Sequence, residues 1–133
     1  MSNNDKQFDL VVVGAGVGGM SAAIAAARTK ADVLLIEVAR SVGGTGVHSP
    51  VTLINTFFDR SGRVINGGVH REFFPHIYTS DCWQIQTYDE RELARNYERA
   101  IMNEPTLTVW CDTRVTEVDV DVLEANAHGS DRC

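Results

Sequence analysis

Three glycines near the start of the chain have the spacing G-x-G-x-x-G, which is typical of a phosphate-binding turn between a strand and a helix. In this pattern the first glycine allows a tight exit from the strand, the second lets the backbone approach a pyrophosphate, and the third allows close helix–strand contact. Free N–H groups at the start of the helix, aided by the helix dipole, stabilise the anion. We therefore predict that six residues, called the first glycine turn, bind pyrophosphate: Gly14, Ala15, Gly16, Val17, Gly18 and Gly19.

An acidic residue follows this turn at the distance that the pattern requires. Glu37 ends a short apolar run and lies 18 positions after Gly19, where a dinucleotide-binding unit expects a carboxylate about 20 positions on. A carboxylate there accepts hydrogen bonds from the ribose hydroxyls of adenosine and repels a 2′-phosphate. The pairing favours FAD or NAD over NADP, and the alternative interpretation is a solvated glutamate at a strand end.

A second glycine-rich segment, residues 40–46, follows Glu37 directly. A plain NAD-binding unit usually passes from its second strand into another helix, whereas this segment lets the backbone approach a ligand and offers a threonine hydroxyl. The alternative is a flexible loop, because glycine often marks loops. We add four residues of this second glycine turn to the predicted cofactor site: Arg40, Gly43, Gly44 and Thr45.

The elements that must position these residues form a βαβ unit. Residues 8–13 and 33–37 are short, valine- and leucine-rich runs typical of buried strands. Between them, residues 17–28 carry apolar side chains on one helical face. Because such crossovers are nearly always right-handed and join parallel strands, the sequence predicts an α/β fold with a Rossmann-like βαβ unit and a parallel sheet.

The middle of the chain predicts shorter elements. Residues 51–58 and 63–65 favour a strand hairpin around a turn at 59–62. A short helix is expected at 69–77, interrupted by Pro75.

The last part of the chain predicts a helix and two strands. Thr87 and Glu90 have the spacing of a capping box, which favours a helix over residues 87–103. Residues 107–111 and 115–122 have strand patterns, and the second alternates as a half-buried strand does. We assign this helix no chemistry.

Histidine spacing argues against a metal site. Three histidines lie between the second glycine turn and the long helix: His48, His70 and His76. No pair has the i, i+4 spacing of helical ligands with a supporting carboxylate, so we predict no metal. His48 is a chemically plausible general acid or base, although a surface or packing role is the simpler interpretation. No catalytic residue is identified.

Composition excludes several other classes of function. The net charge of −6, with 44% hydrophobic and 23% charged residues, is that of an ordinary globular protein and disfavours nucleic acid or anionic membrane as a partner. No apolar run reaches 18 residues, and the polar first residues contain no signal core. Three widely spaced cysteines without a C-x-x-C pair suggest free thiols: Cys82, Cys111 and Cys133. We expect a cytoplasmic protein; substrate and oligomeric state stay open.

Taken together, these motifs resemble FAD-dependent oxidoreductases of the glutathione-reductase-like flavin fold. The resemblance is carried by residues 11–23, by residues 34–37 ending in Glu37, and by Gly43-Gly44-Thr45. Within that group the chain is most similar to bacterial enzymes in which this Gly-Gly-Thr turn leads to a glycine-containing loop, here residues 46–50, and to an aspartate–glycine turn, here 58–62.

The resemblance implies that different segments of the chain bind different parts of FAD. The first glycine turn would hold the FAD pyrophosphate, Glu37 the adenosine ribose, and the second glycine turn would run toward the flavin. It also implies that Val115 supplies backbone contacts to adenine, and that the loop containing His48 lies near the flavin ring.

Family members are much longer and carry a substrate domain. We therefore expect residues 1–133 to be the N-terminal part of an FAD/NAD(P)-binding domain, with an incomplete sheet and without the substrate domain. The leading interpretation is the FAD-binding portion of an oxidoreductase that uses flavin for hydride or electron transfer. An NAD-binding Rossmann protein and a truncated non-catalytic remnant are the alternatives.

Overall fold

The computed structural model describes residues 6–49, 51–75 and 85–120. Within these ranges, the elements in chain order are β1 (Leu10–Val13), α1 (Val17–Ala27), β2 (Val33–Ile36), α2 (Thr45–His48), β3 (Leu53–Asn55), α3 (His70–Phe73), β4 (Ile85–Thr87), α4 (Glu90–Met102) and β5 (Leu107–Trp110). No helix among the described residues has both the length and the apolar character needed to cross a bilayer.

A parallel sheet with the order β1-β2-β5 forms the centre of the fold. Its register pairs Val13 with Ile36 and Ile36 with Trp110, so the three strands end level with one another. Helix α1 connects β1 to β2, which confirms the predicted α/β fold and its Rossmann-like βαβ unit. Since all three strands run in one direction, the segments that follow them meet at a single edge of the sheet.

The core lies between this sheet and the helices. On α1 the predicted apolar face is buried, and it consists of Met20, Ala23, Ile24 and Ala27. From α4, Leu93 and Tyr97 are buried in the same cluster, and the Tyr97 ring meets Phe73 of α3 edge-on with centroids 4.5 Å apart. Small alanines on α1 allow the helix to approach the sheet closely.

The start of α4 differs from the predicted capping box. Asp89 is the N-cap, and its Oδ1 accepts from the backbone N–H of Arg91 at 2.8 Å and of Glu92 at 2.9 Å. Thr87 cannot cap the helix because it is the last residue of β4 and pairs with Leu53. The short aspartate next to the helix satisfies two N–H groups that a helix leaves free.

The hairpin predicted at 51–65 is mostly replaced by a longer-range pairing. Strand β3 pairs antiparallel with β4, and only the bridge between Phe58 and Val64 remains of the predicted hairpin. The Asp59 carboxylate accepts from the N–H groups of Ser61 and Arg63 at 2.9 and 3.0 Å. These bonds stabilise a tight turn rather than two strands.

Three further predictions need correction. The strand predicted as buried over residues 8–13 is β1, which lies at the edge of the sheet, and its Leu10, Val11 and Val13 are 40%, 48% and 62% exposed. The helix predicted at 69–77 is the single turn α3, which ends at Phe73 before Pro75; residues 76–84 lie outside the described ranges. The strand predicted at 115–122 is absent from its described part, 115–120, and Val118 and Val120 are 71% and 76% exposed. Alternating valines form a strand only where a neighbouring strand pairs with them, and among the described residues none does.

Candidate functional site

The first glycine turn joins the end of β1 to the first turn of α1. Gly16 is the N-cap of α1, and no side chain caps the helix or places a negative charge in its first turn. The first backbone N–H bonded within this helix is that of Met20, which donates to the Gly16 carbonyl at 2.9 Å. The N–H groups at positions 17–19 therefore have no partner within the helix and can donate to an anion.

Three glycines of this turn border open space, and a fourth is required for packing. A Cβ added at Gly14, Gly16 or Gly18 would meet no heavy atom within 4 Å. At Gly19, by contrast, an added Cβ would collide with the Gly14 carbonyl. Gly19 thus lets the helix approach the turn, while the backbone on the other side stays open.

Glu37 lies immediately after β2 and is buried, with 8% of the residue exposed. Its Oε2 accepts from the Ala15 N–H at 2.6 Å, and its Oε1 accepts from the Ala39 N–H at 2.8 Å. These hydrogen bonds, that of Ala39 first, lower the pKa of the Glu37 carboxyl against the opposing effect of burial. The side chain is therefore a carboxylate at neutral pH, placed against the first glycine turn.

The second glycine turn packs on the first, backbone against backbone. The Gly43 N–H donates to the Ala15 carbonyl at 2.8 Å. Gly44 adopts a φ of 52°, and a Cβ added there would lie 2.9 Å from the Gly16 Cα. The family resemblance implied that both turns lie along one cofactor, and in the structure the two turns are in direct contact.

A tyrosine anchors the chain beyond the second turn. The Tyr88 hydroxyl lies 3.0 Å from the Gly46 carbonyl and 2.8 Å from the Val51 carbonyl. Because a hydroxyl has a single proton, the two carbonyls share it as a bifurcated bond or in alternation. This contact fixes the segment that leaves the site.

The remaining predicted residues of the second turn are exposed. Arg40 and Thr45 face solvent, and Thr45 is the first residue of α2. His48 closes α2, with its Nε2 3.1 Å from the Ser41 carbonyl and 3.4 Å from the Ser41 hydroxyl. In the described part of the chain, no group of three or more His, Cys, Asp or Glu side chains could hold a metal ion.

A cleft of about 210 Å³ opens at the edge where β1, β2 and the segment after β5 meet. Gly14, Glu37 and Val115 all line this cleft, so three predicted residues that are distant in sequence lie around one space. The chain after β5 is held there by backbone hydrogen bonds from Asp112 N–H to the Ala39 carbonyl at 2.8 Å and from Thr113 N–H to the Glu37 carbonyl at 3.0 Å.

Five lining residues of this cleft were not predicted as site residues: Val13, Ile36, Val38, Thr113 and Arg114. Each lies at the end of a parallel strand or in the segment after it, and ligands of open α/β sheets bind beyond the carboxyl ends of the strands. That positional rule was the available signal, and Thr113 and Arg114 also directly precede Val115, the residue of this segment for which a contact was predicted.

The observed donor set fits the adenosine diphosphate half of FAD. It combines an open glycine backbone, free N–H groups at a helix start, and a carboxylate beside a cleft. A family model described as FAD dependent oxidoreductase matches residues 9–129. The chain belongs to the FAD-dependent oxidoreductase family. This membership confirms both the predicted family and FAD as the predicted cofactor.

Solved structures of this family's fold are similar to the chain. Thermovibrio ammonificans THI4 superposes with a TM-score of 0.55 at 19% identity, over 78% of this chain and 38% of THI4. OTEMO in complex with FAD and NADP gives a TM-score of 0.50 at 27% identity, over 82% of this chain and 19% of OTEMO. The chain thus spans about two fifths and one fifth of the lengths of these two proteins.

Proposed function

We propose that this chain is the portion of an FAD-dependent oxidoreductase that binds the adenosine diphosphate half of FAD. One observation carries the proposal: the ionised Glu37 carboxylate lies against the first glycine turn and lines the same cleft as Gly14 and Val115. When bound, FAD supplies hydride or electron-pair transfer. The substrate is not assigned, because the site described here contacts the non-reacting end of the cofactor.

Pyrophosphate binding falls to the start of α1. The N–H groups of Val17, Gly18 and Gly19 would donate to the phosphate oxygens, with Gly14 and Gly16 providing the open backbone. Ala15 acts differently from the other members of the turn, because its N–H is already donated to Glu37. Its contribution is to hold the turn in place.

Ribose binding falls to Glu37. A carboxylate offers about four lone-pair sites on its two oxygens, and in Glu37 each oxygen accepts one backbone N–H among the described contacts. The remaining lone-pair sites would accept the ribose hydroxyls. The negative charge also repels a 2′-phosphate, which favours FAD over an NADP-type ligand.

The second glycine turn would continue along the cofactor. Gly43 and Gly44 keep its backbone against the first turn, and Arg40 and Thr45 offer exposed donors beside it. Val115 would contact adenine from the segment after β5. We also propose that residues 1–133 are the N-terminal part of an FAD/NAD(P)-binding domain. We further propose a cytoplasmic location, which the free cysteine Cys111 supports.

A comparison of nucleotides by thermal shift tests the proposal. Only a ligand that binds the folded state raises its melting temperature. We expect FAD and ADP to stabilise the protein, with NADP giving a smaller shift because of Glu37. A protein that none of the three stabilises, or that NADP stabilises most, would contradict the proposal.

A further inference from the structure

Arg114 lines the cleft beside Glu37 and has no role in the proposed function. Arg114 lines the cleft from the segment after β5, while Glu37 lines it from the end of β2. Arg114 is exposed, and no ion pair between described residues involves it. The guanidinium group of this cleft-lining residue is therefore available to a ligand.

The other cleft residues indicate which part of a nucleotide meets this arginine. Phosphates have their own donors at the start of α1, and the Glu37 charge disfavours a further phosphate beside the ribose. The group adjacent to the ribose on its other side is the base. Val38, which is 53% exposed, and Val115 give this part of the cleft an apolar surface that suits a planar ring.

We propose that Arg114 stacks its guanidinium group on the adenine ring of FAD and thereby helps to select an adenine nucleotide. The guanidinium is planar and weakly hydrated, and it stacks on aromatic faces, whereas a lysine ammonium is a strongly hydrated point charge without a face. This inference rests on the proposed function, because it requires the adenosine half of the cofactor to occupy the cleft.

Titration of the full chain with FAD and with ADP tests the inference, using R114A, R114K and the control R60A. Arg60 is an exposed arginine in the turn at 59–62, far in sequence from the cleft residues. We expect R114A to weaken both ligands about tenfold, in the range of a lost cation–π contact. R114K should weaken them nearly as much despite its charge, and R60A should bind as the unmodified chain does.

Three outcomes would overturn the inference. If R114A binds FAD and ADP with unchanged affinity, Arg114 has no contact with the nucleotide. If R114K retains full affinity while R114A loses it, the contact is a charge on a phosphate. If the unmodified chain binds neither ligand, the proposed function fails and this inference fails with it. Circular dichroism of each variant shows whether it is folded, and R114K decides the question if R114A is not.

Discussion

The Oε2 atom of Glu37 accepts a hydrogen bond from the backbone N–H of Ala15 at 2.6 Å. This bond joins the carboxylate that follows β2 to the turn that follows β1, so the proposed ribose-binding group and the proposed pyrophosphate-binding turn are one connected unit. Glu37 therefore has two proposed tasks, which are to bind ribose and to orient the turn. A hydrogen bond to a buried charged group contributes more to stability than a neutral one.

Removal of the Glu37 carboxylate should impair both stability and cofactor binding. In E37A the N–H groups of Ala15 and Ala39 lose their acceptor, which should lower the free energy of unfolding by about 1–3 kcal/mol. FAD affinity should fall as well, because the ribose hydroxyls lose the carboxylate that would accept their hydrogen bonds. Urea denaturation and FAD titration measure the two effects. E98Q, on an exposed position of α4, is the control and should match the unmodified protein in both.

The pH dependence of stability should reveal the Glu37 charge. Because the folded state lowers the pKa of Glu37, this group stabilises the fold above its unfolded pKa of about 4.3. That stabilisation is lost as the pH falls through the lower folded pKa. The difference in unfolding free energy between the unmodified protein and E37Q should be constant above about pH 6 and shrink toward pH 3.

Comparison of the unmodified protein with E37Q separates the effect of Glu37 on stability from the effects of other acidic groups. Asp59 and Glu72 also have lowered pKa values, Asp59 through its bond from Ser61 and Glu72 through its bond from Arg28. They are present in both proteins, so their effects cancel in the difference. A difference that stays the same down to pH 3 would show that the ionised carboxylate does not stabilise the fold.

Adjacent glycines of the first turn should respond oppositely to alanine. In G19A the new Cβ would collide with the Gly14 carbonyl, and the backbone must move, at a cost of about 3 kcal/mol. In G18A the new Cβ would meet no heavy atom within 4 Å, so the fold should be unchanged or slightly more stable. Melting temperatures measured by circular dichroism test this pair, and equal losses in both variants would refute the close packing at Gly19.

Local patterns predicted the βαβ unit that positions the candidate site. The segment from Gly14 to Gly19 and Glu37 belong to elements that are near one another in sequence, so pattern alone was sufficient to predict that unit. The pairing of β3 with β4 was not predictable in this way, because the partner strands lie about 30 residues apart and the competing local hairpin has a similar pattern. Arg114 was missed for the same reason, since only the assembled sheet brings it to the cleft.

Substitution by phenylalanine should change the free energy of unfolding in opposite directions at Tyr97 and Tyr88. The Tyr97 ring is fully buried, and its hydroxyl has no hydrogen-bond partner among the described residues. Y97F removes this unsatisfied group and should raise the free energy of unfolding by about 1 kcal/mol. Y88F removes the hydroxyl that contacts Gly46 and Val51 and should lower it by about 1 kcal/mol. Urea denaturation that finds Y97F as destabilised as Y88F would mean that the Tyr97 hydroxyl is satisfied.

Equilibrium titration of the purified chain with FAD, followed by flavin fluorescence and repeated on E37A, tests the central claim most directly. We predict saturable binding of one FAD per chain, displacement by ADP, and at least a tenfold loss of affinity in E37A. Displacement by ADP assigns the binding to the adenosine diphosphate half, because ADP lacks the flavin. Absence of saturable FAD binding, or equal affinity of the unmodified chain and folded E37A, would contradict the claim that Glu37 and the first glycine turn form the cofactor site.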